Sequence, residues 1–286
     1  MLIIDGNAMM IRGITADIKM EMSEAICRHL VLNSLGYLLR KFKKEYGEVV
    51  IAFDSKNSWR KDFFPNYKAS RKKYREDSRM DWNKIFEYMD IIKSELREFF
   101  PYKIVEVDRC EGDDIIAVLT RYAQKTRTIN SGLYDEPEPV MILSSDEDFV
   151  QLQSDSVKQV SLQTKKPVTT DMTLEFFLHD HIIRGDKSDG VPNVLSDDDV
   201  FVEGRRQNTI YAGKVDEWFS KLPDDEAFKK NYARNKLMID LSCIPEEYQQ
   251  RIINTYNDCK PKGRMRLMNY FITKKLSNLM ENIQDY

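Results

Sequence analysis

Short apolar runs in this chain repeatedly end in an acid. Leu2-Ile3-Ile4 meets Asp5, Val49-Val50-Ile51-Ala52-Phe53 meets Asp54, and Val140-Met141-Ile142-Leu143 leads through two serines to Asp146 and Asp148. Runs this short suit buried strands and are far too short to cross a membrane. Helical patterns fill the gaps, from about Ser23 to Tyr46 with Ile26, Leu30, Leu38, Leu39 and Phe42, and from about Trp82 to Phe100. A fourth run, Tyr102 to Val107, precedes Glu111-Gly112-Asp113-Asp114, where another helix begins. Strand–helix alternation of this kind predicts an α/β fold with a mostly parallel central sheet and flanking helices. Parallel strands bring all their carboxyl ends to one edge, where ligands of such sheets bind. The strand-end acids are therefore expected together.

The remainder of the chain reads differently. From about Asp171 strand signals fade and helical periodicity dominates. The expected division is an α/β domain over residues 1–165 and a smaller helical domain over 166–286. Thr128 to Pro139, with Gly132 and two prolines, reads as a surface loop. Asp224-Asp225-Glu226 reads as a helix start and Asp197-Asp198-Asp199 as a solvated loop. His179 and His181 lie two apart, so on a helix they point to different faces. They are expected on a polar surface and not on a metal. The four cysteines are scattered without CxxC spacing, which argues against zinc and disulfides and for reduced thiols. The opening residues carry neither a cationic nor a long apolar leader segment, so no secretion signal is expected.

The acids carry the chemistry. Asp5, Asp54, Glu111, Asp113, Asp114, Asp146, Asp148, Asp186 and Asp189 are the candidates. Any one of them could simply cap a helix. Five or more at one sheet edge would repel one another unless cations neutralise them. An all-oxygen set suits Mg²⁺ or Mn²⁺, because zinc usually takes His or Cys. Two such ions about 4 Å apart are machinery for phosphodiester hydrolysis. The net charge of −3 does not exclude a polyanionic substrate, because assigning nine acids to one site leaves a positive remainder. Between Trp59 and Arg75 lie Arg60, Lys61, Lys68, Arg71, Lys72, Lys73 and Arg75, interleaved with Phe63, Phe64, Tyr67 and Tyr74. Cations of this kind bind phosphates, and exposed aromatic faces stack unpaired bases. A second basic set, Lys260 to Lys275, could touch duplex backbone or solubilise a helix.

Taken together, Asp5-Gly6-Asn7 with Arg12, Asp54, Glu111-Gly112-Asp113-Asp114, Ser144-Ser145-Asp146-Glu147-Asp148, Gly185-Asp186-Lys187-Ser188-Asp189 and the segment Arg60 to Arg71 resemble the flap endonuclease / 5′-nuclease family. The resemblance covers nearly the whole chain, with the phage members nearest. It implies a PIN-like fold, a basic helical arch at about residues 56–82 hanging over the acidic edge, and a C-terminal DNA-binding domain. It implies a 5′-to-3′ exonuclease and flap endonuclease on RNA–DNA and DNA–DNA duplexes, removing RNA primers in phage replication and leaving 5′-phosphates. Two Mg²⁺ are implied, with Mn²⁺ as a substitute: one held by Asp54, Glu111, Asp113 and Asp146, the other by Asp148, Asp186 and Asp189, with Asp5 and Asp114 close by. Lys68 and Arg71 would steady the scissile phosphate, assisted by Arg60 and Arg12, while Tyr67 stacks on a terminal base. Lys72, Arg205 and Arg206 are further nucleic-acid contacts. The implied partners are branched or nicked DNA and RNA–DNA duplex, and by resemblance a single-strand-binding protein or sliding clamp. The resemblance further implies the host bacterial cytoplasm as the setting, a monomer, and no membrane. One segment departs from the family. Leu195-Ser196-Asp197-Asp198-Asp199 stands where a Gly-x-Gly usually grips duplex backbone through K⁺. Glycine lets amides approach phosphate and acids repel it, so a K⁺-bridged grip is not expected.

Three other readings compete. A PIN-type ribonuclease shares the acidic edge but usually lacks the arch and the helical third. A phosphatase with an aspartyl nucleophile could explain Asp-x-Asp, but Asp148 has no threonine after it. A structure-selective DNA binder without turnover would be weakened by so many acids near phosphate.

Overall fold

The structure, a computed structural model, describes residues 1–15, 22–78, 80–130 and 135–286, with the side chains of residues 72–74 and 130 set aside. Seven strands are β1 (Leu2–Asp5), β2 (Val49–Phe53), β3 (Lys103–Glu106), β4 (Thr128–Asn130), β5 (Asp135–Pro137), β6 (Val140–Leu143) and β7 (Val157–Val160). The helices up to the end of the sheet are α1 (Gly6–Thr15), α2 (Glu24–Tyr46), α3 (Arg60–Phe63), α4 (Ser70–Glu76), α5 (Trp82–Phe99) and α6 (Gly112–Thr126). After it come α7 (Leu174–Arg184), α8 (Ala212–Ser220), α9 (Glu226–Ile239), α10 (Glu246–Asp258), α11 (Arg264–Thr273) and α12 (Ser277–Met280).

Five strands form one sheet in the order β3-β2-β1-β6-β7, and every pair in it is parallel. The fold is the expected one, a parallel sheet with flanking helices. Its strands β1, β2 and β6 are near-continuous apolar runs because both faces are covered. Leu2, Ile3, Ile4, Val50, Ile51, Ile142 and Leu143 are fully buried. Each such side chain contributes roughly 1.5–3 kcal/mol.

Two elements escape the sequence reading. β7 is the sheet's fifth strand, and Val157-Lys158-Gln159-Val160 offers no apolar run to announce it. The segment read as the Thr128–Pro139 loop instead forms an antiparallel ribbon of β4 and β5, whose central residues lie outside the described ones.

The chain divides into two compact units. The first comprises Met1–Lys56, Asp81–Val168 and Glu247–Tyr286, and the second Asn57–Met80 and Thr169–Glu246. The last forty residues thus count with the sheet. Buried polar contacts explain why. Glu95 on α5 accepts from Arg28 Nε on α2 at 2.7 Å and from Tyr270 Oη on α11 at 2.8 Å, and it pairs with Lys274 Nζ at 2.7 Å. Tyr286 donates to the Leu32 carbonyl at 2.7 Å, and its ring centroid lies 5.3 Å from that of Phe271. Such contacts are made through side chains far apart in sequence, which periodicity does not reveal.

In the second unit three aromatic members of the basic segment turn inward, while Phe63 is 62% exposed. Trp59, Phe64 and Tyr67 are 1–2% exposed. Phe64 and Tyr67 join Ile182, Val191, Met238 and Ile239 in one cluster. A second cluster gathers Ile183, Val194, Val215, Trp218 and Phe228. His179 is buried against this aromatic wall, 5.2 Å from the Phe219 ring centroid, and not on a polar surface as expected. Its helix packs both faces, so the helical pattern misleads there. Among the described residues, no helix is long and apolar enough to cross a membrane.

Candidate active site

The site of the first unit is built at the carboxyl ends of β1, β2 and β6. Asp5 closes β1, Asp54 follows β2, and Asp146 follows β6 after two serines. Local hydrogen bonds fix each. Ala8 N–H donates to Asp5 Oδ1 at 2.8 Å, capping α1, and Ser144 Oγ donates to Asp5 Oδ2 at 2.8 Å. Gly112 N–H donates to Asp54 Oδ1 at 2.6 Å, and Asp54 N–H donates to Asn7 Oδ1 at 3.1 Å. The backbone of α1 leaves β1 so close to β2 that a Cβ on Gly6 would stand 2.8 Å from the Ala52 carbonyl. Only glycine fits there.

Glu111 and Asp114 form a reciprocal capping box at the start of α6, with Glu111 N–H donating to Asp114 Oδ2 at 2.9 Å. Asp114 is fully buried and Glu111 is 6% exposed, while Asp113 is partly exposed. Asp148 N–H donates to Asp146 Oδ1 at 3.0 Å, starting the short helical turn Glu147–Leu152. Asp5, Asp114 and Asp146 thus cap helices, and Asp5, Asp54 and Asp146 stand at the carboxyl ends of neighbouring strands.

Burial foremost, and then the charges of Asp54 and Asp146, raise the Asp5 carboxyl to about 7 against the two hydrogen bonds it accepts. Carboxylates gathered so that two of them disfavour the ionisation of a third are an arrangement that a bound cation would relieve. The donors are all oxygen, which fits a hard divalent ion.

Gln159 was missed by the sequence reading. It is 2% exposed on β7, and its Nε2 donates to the carbonyls of Asp146 at 2.6 Å and Ser144 at 3.2 Å. It holds the turn that carries Asp146 and Asp148. A single glutamine in an unpredicted strand carries no sequence signal for this task.

The second unit holds the remaining candidates. Asp186 Oδ1 accepts from Ser188 N–H at 2.7 Å, so it caps its own turn. The Asp189 side chain is 14% exposed and lies among cations: Arg71 pairs with it, Lys68 Nζ lies 3.4 Å away, and Tyr67 Oη donates to it at 2.7 Å. Burial pushes its pKa up, but Lys68 and Arg71 outweigh burial and hold it below the usual carboxylate value. Lys68 takes a left-handed backbone, φ 56°, and its N–H donates to the Asp189 carbonyl at 2.7 Å. Asp189 thus anchors the two cations expected to grip phosphate.

Two expectations for the basic segment need correction. Tyr67 has no open face for a base, because its ring is packed in the core with only its hydroxyl reaching Asp189. Arg60 is 2% exposed, its Nε donates to the Met238 carbonyl at 3.1 Å, and its guanidinium lies 4.7 Å from the Trp59 ring centroid. It is a packing residue here. The side chain of Lys72 lies outside the described residues. Arg12 is exposed on α1 of the first unit.

The three-acid segment is braced and not merely solvated. Asp197 and Asp199 both pair with Arg205, and Asp198 pairs with Arg234, whose side chain is 8% exposed. Arg234 also donates to the Pro192 carbonyl at 2.8 Å. The acids are neutralised internally, and Arg205 is engaged by them. Arg206 is exposed.

Residues 1–177 match the family described as 5′-3′ exonuclease, N-terminal resolvase-like domain, and residues 173–286 match that described as T4 RNase H, C terminal. The chain is 32% identical to ribonuclease H of Enterobacteria phage T4, covering 94% of this chain and 89% of that protein. It is 26% identical to DNA polymerase I of Deinococcus radiodurans over 67% of this chain but only 19% of that protein. In fold it resembles a bacteriophage T5 protein crystallised with metal ions, TM-score 0.61, 19% identity, covering 90% of this chain and 97% of that one. A T5 flap endonuclease in a complex with DNA and metal ions gives TM-score 0.63 at 19% identity over the same shares. The strand-end acids, the parallel sheet and these likenesses agree: the chain belongs to the 5′–3′ exonuclease family of metal-dependent 5′ nucleases.

Proposed function

We propose that the chain is a Mg²⁺-dependent 5′-to-3′ exonuclease and flap endonuclease acting on RNA–DNA and DNA–DNA duplexes, which removes RNA primers and leaves 5′-phosphates. The observation that carries the reading is the placement of Asp5, Asp54 and Asp146 at one sheet edge, where the charges of the last two raise the pKa of the first. Asp54, Glu111, Asp113, Asp146 and Asp148 are the residues of the first unit that would hold the ions. When bound, the ions supply charge neutralisation and an activated water. The chain's residues position these groups. Ser144 and the Ala8 amide orient Asp5, Gly112 and Asn7 orient Asp54, and Gln159 fixes the turn under Asp146. Lys68 and Arg71, held on Asp189, are the second unit's phosphate-gripping pair.

The test uses a 5′-labelled flap and a nicked RNA–DNA duplex, with Mg²⁺ or with EDTA. Metal-dependent release of short 5′ products supports the reading. Asp146→Asn should reduce cleavage roughly a hundredfold or more while sparing duplex binding. Near-normal turnover by that variant would sink the assignment. Retardation without cleavage would favour a binding protein, and cleavage of unpaired RNA alone a PIN-type ribonuclease.

A further inference from the structure

The first unit carries a group of cations that the metal site does not use. Tyr37 and Lys41 lie one turn apart on α2, hence on one face. Tyr37 is 40% exposed, and Lys165 Nζ lies 5.3 Å from its ring centroid. Lys165 sits in a left-handed backbone conformation, φ 60°, rare for a side chain other than glycine. The turn that imposes it is tied down. Lys165 N–H donates to the Ser161 carbonyl at 2.9 Å, and Ser161 Oγ accepts from the amides of Gln163 and Thr164 at 3.1 and 3.2 Å. Gln163 N–H also donates to Ser145 Oγ at 2.9 Å. A strained, over-determined turn that delivers one lysine to one exposed ring is a feature that calls for a use.

The charge balance points the same way. Among the described residues, Arg12, Lys41 and Lys165 form no ion pair with a carboxylate. Burial and then the charges of Arg12 and Lys41 push the Lys165 ammonium pKa down. Like charges gathered without a counterion disfavour the cluster until an anion arrives. An anion with a flat apolar group beside it would meet both the cations and the ring.

We propose that Arg12, Tyr37, Lys41 and Lys165 form a track for an unpaired nucleic-acid strand, with backbone phosphates among the cations and a base stacked on Tyr37. The proposal rests on the nuclease reading above and adds to it a site outside the strand-end acids. Stacking suits an unpaired strand, because bases within a duplex already have both faces covered. A purely acidic peptide would use the cations and leave the ring idle.

The test is fluorescence anisotropy in EDTA with two labelled probes, a fully paired duplex and the same duplex with a single-stranded stretch. Tyr37→Ala should weaken binding of the gapped probe by about five- to a hundredfold and leave the paired probe little changed, and Tyr37→Phe should restore it. Lys41→Ala with Lys165→Ala should lower the salt slope for the gapped probe by about 1.4. Equal binding of the gapped probe by wild type and Tyr37→Ala overturns the track. So does an unchanged salt slope in the double variant with native circular dichroism. A salt effect without a Tyr37 effect also overturns it, and points to a plain anion surface. Wild-type protein that binds the gapped probe through Tyr37 yet cleaves no substrate in Mg²⁺ supports the track and removes the nuclease reading alone.

Discussion

Replacing Asp189 by asparagine separates two roles for that residue. As a metal ligand in a crowd of acids, its charge would be a burden without metal, and its removal would be neutral or stabilising. The structure instead surrounds it with Lys68, Arg71 and the Tyr67 hydroxyl. Asparagine keeps the shape and removes the charge that two cations face. Removing one partner of a buried ion pair costs about 3–5 kcal/mol. The Arg71 side chain is 46% exposed and water replaces part of its loss, so about 3 kcal/mol is expected. At roughly 2–4 °C per kcal/mol, the melting temperature should fall by about 6–12 °C. The assay is thermal unfolding in EDTA followed by tryptophan fluorescence, since Trp59 and Trp218 both lie in the second unit. Asp54→Asn is the comparison and should melt at or above wild type, because Asp54 faces the charge of Asp5. The sign of the pH dependence is fixed. A carboxylate with a lowered folded pKa contributes stability above its unfolded value, near about 4, and loses it as pH falls through the folded one. The gap between Asp189→Asn and wild type should be full at pH 7 and close in acid. A variant that melts no lower than wild type at pH 7 in EDTA refutes the anchor role.

Two further outcomes follow from the same contacts. Glu95→Gln should lower stability by about 3 kcal/mol, read in urea unfolding at pH 7, because Arg28 loses its buried carboxylate; the loss should shrink below about pH 4, as the folded pKa of Glu95 is lowered. Gly185→Ala should cost at least about 2 kcal/mol, measured in the same way, since φ is 68° and a Cβ would stand 2.4 Å from the Val191 carbonyl. A variant as stable as wild type would mean that the Asp186–Val191 turn can reorganise.

The acidic edge was legible in the sequence to the extent that chain order dictates space. Parallel strands carry whatever follows them to one edge, so Asp5, Asp54 and Asp146 could be placed together from their positions after apolar runs. The supports were not legible. Gln159 lies on a strand with no pattern of its own, and its role depends on where β7 docks. The basic segment was half legible. Its charges were plain, but burial of Trp59, Phe64, Tyr67 and Arg60 depends on what α7 and α9 bring beside them. His179 misled for the same reason, because a short helix can be packed on two faces.

The amino-acid sequence by itself determined the α/β class, the acidic edge and the chemistry that all-oxygen donors allow, because strand periodicity and chain direction are local. Only the tertiary structure decided which charges are spent inside the protein. Asp189 is held by Lys68 and Arg71, Asp198 by Arg234, and Arg205 by Asp197 and Asp199, all pairs set by folding. Among the described residues Arg12, Lys41 and Lys165 pair with no carboxylate, and the charges of the first two act on the third although they lie far apart in the chain. Coulomb interactions act through space and not along the sequence, so a charge count cannot tell a neutralised lysine from one that still needs a phosphate.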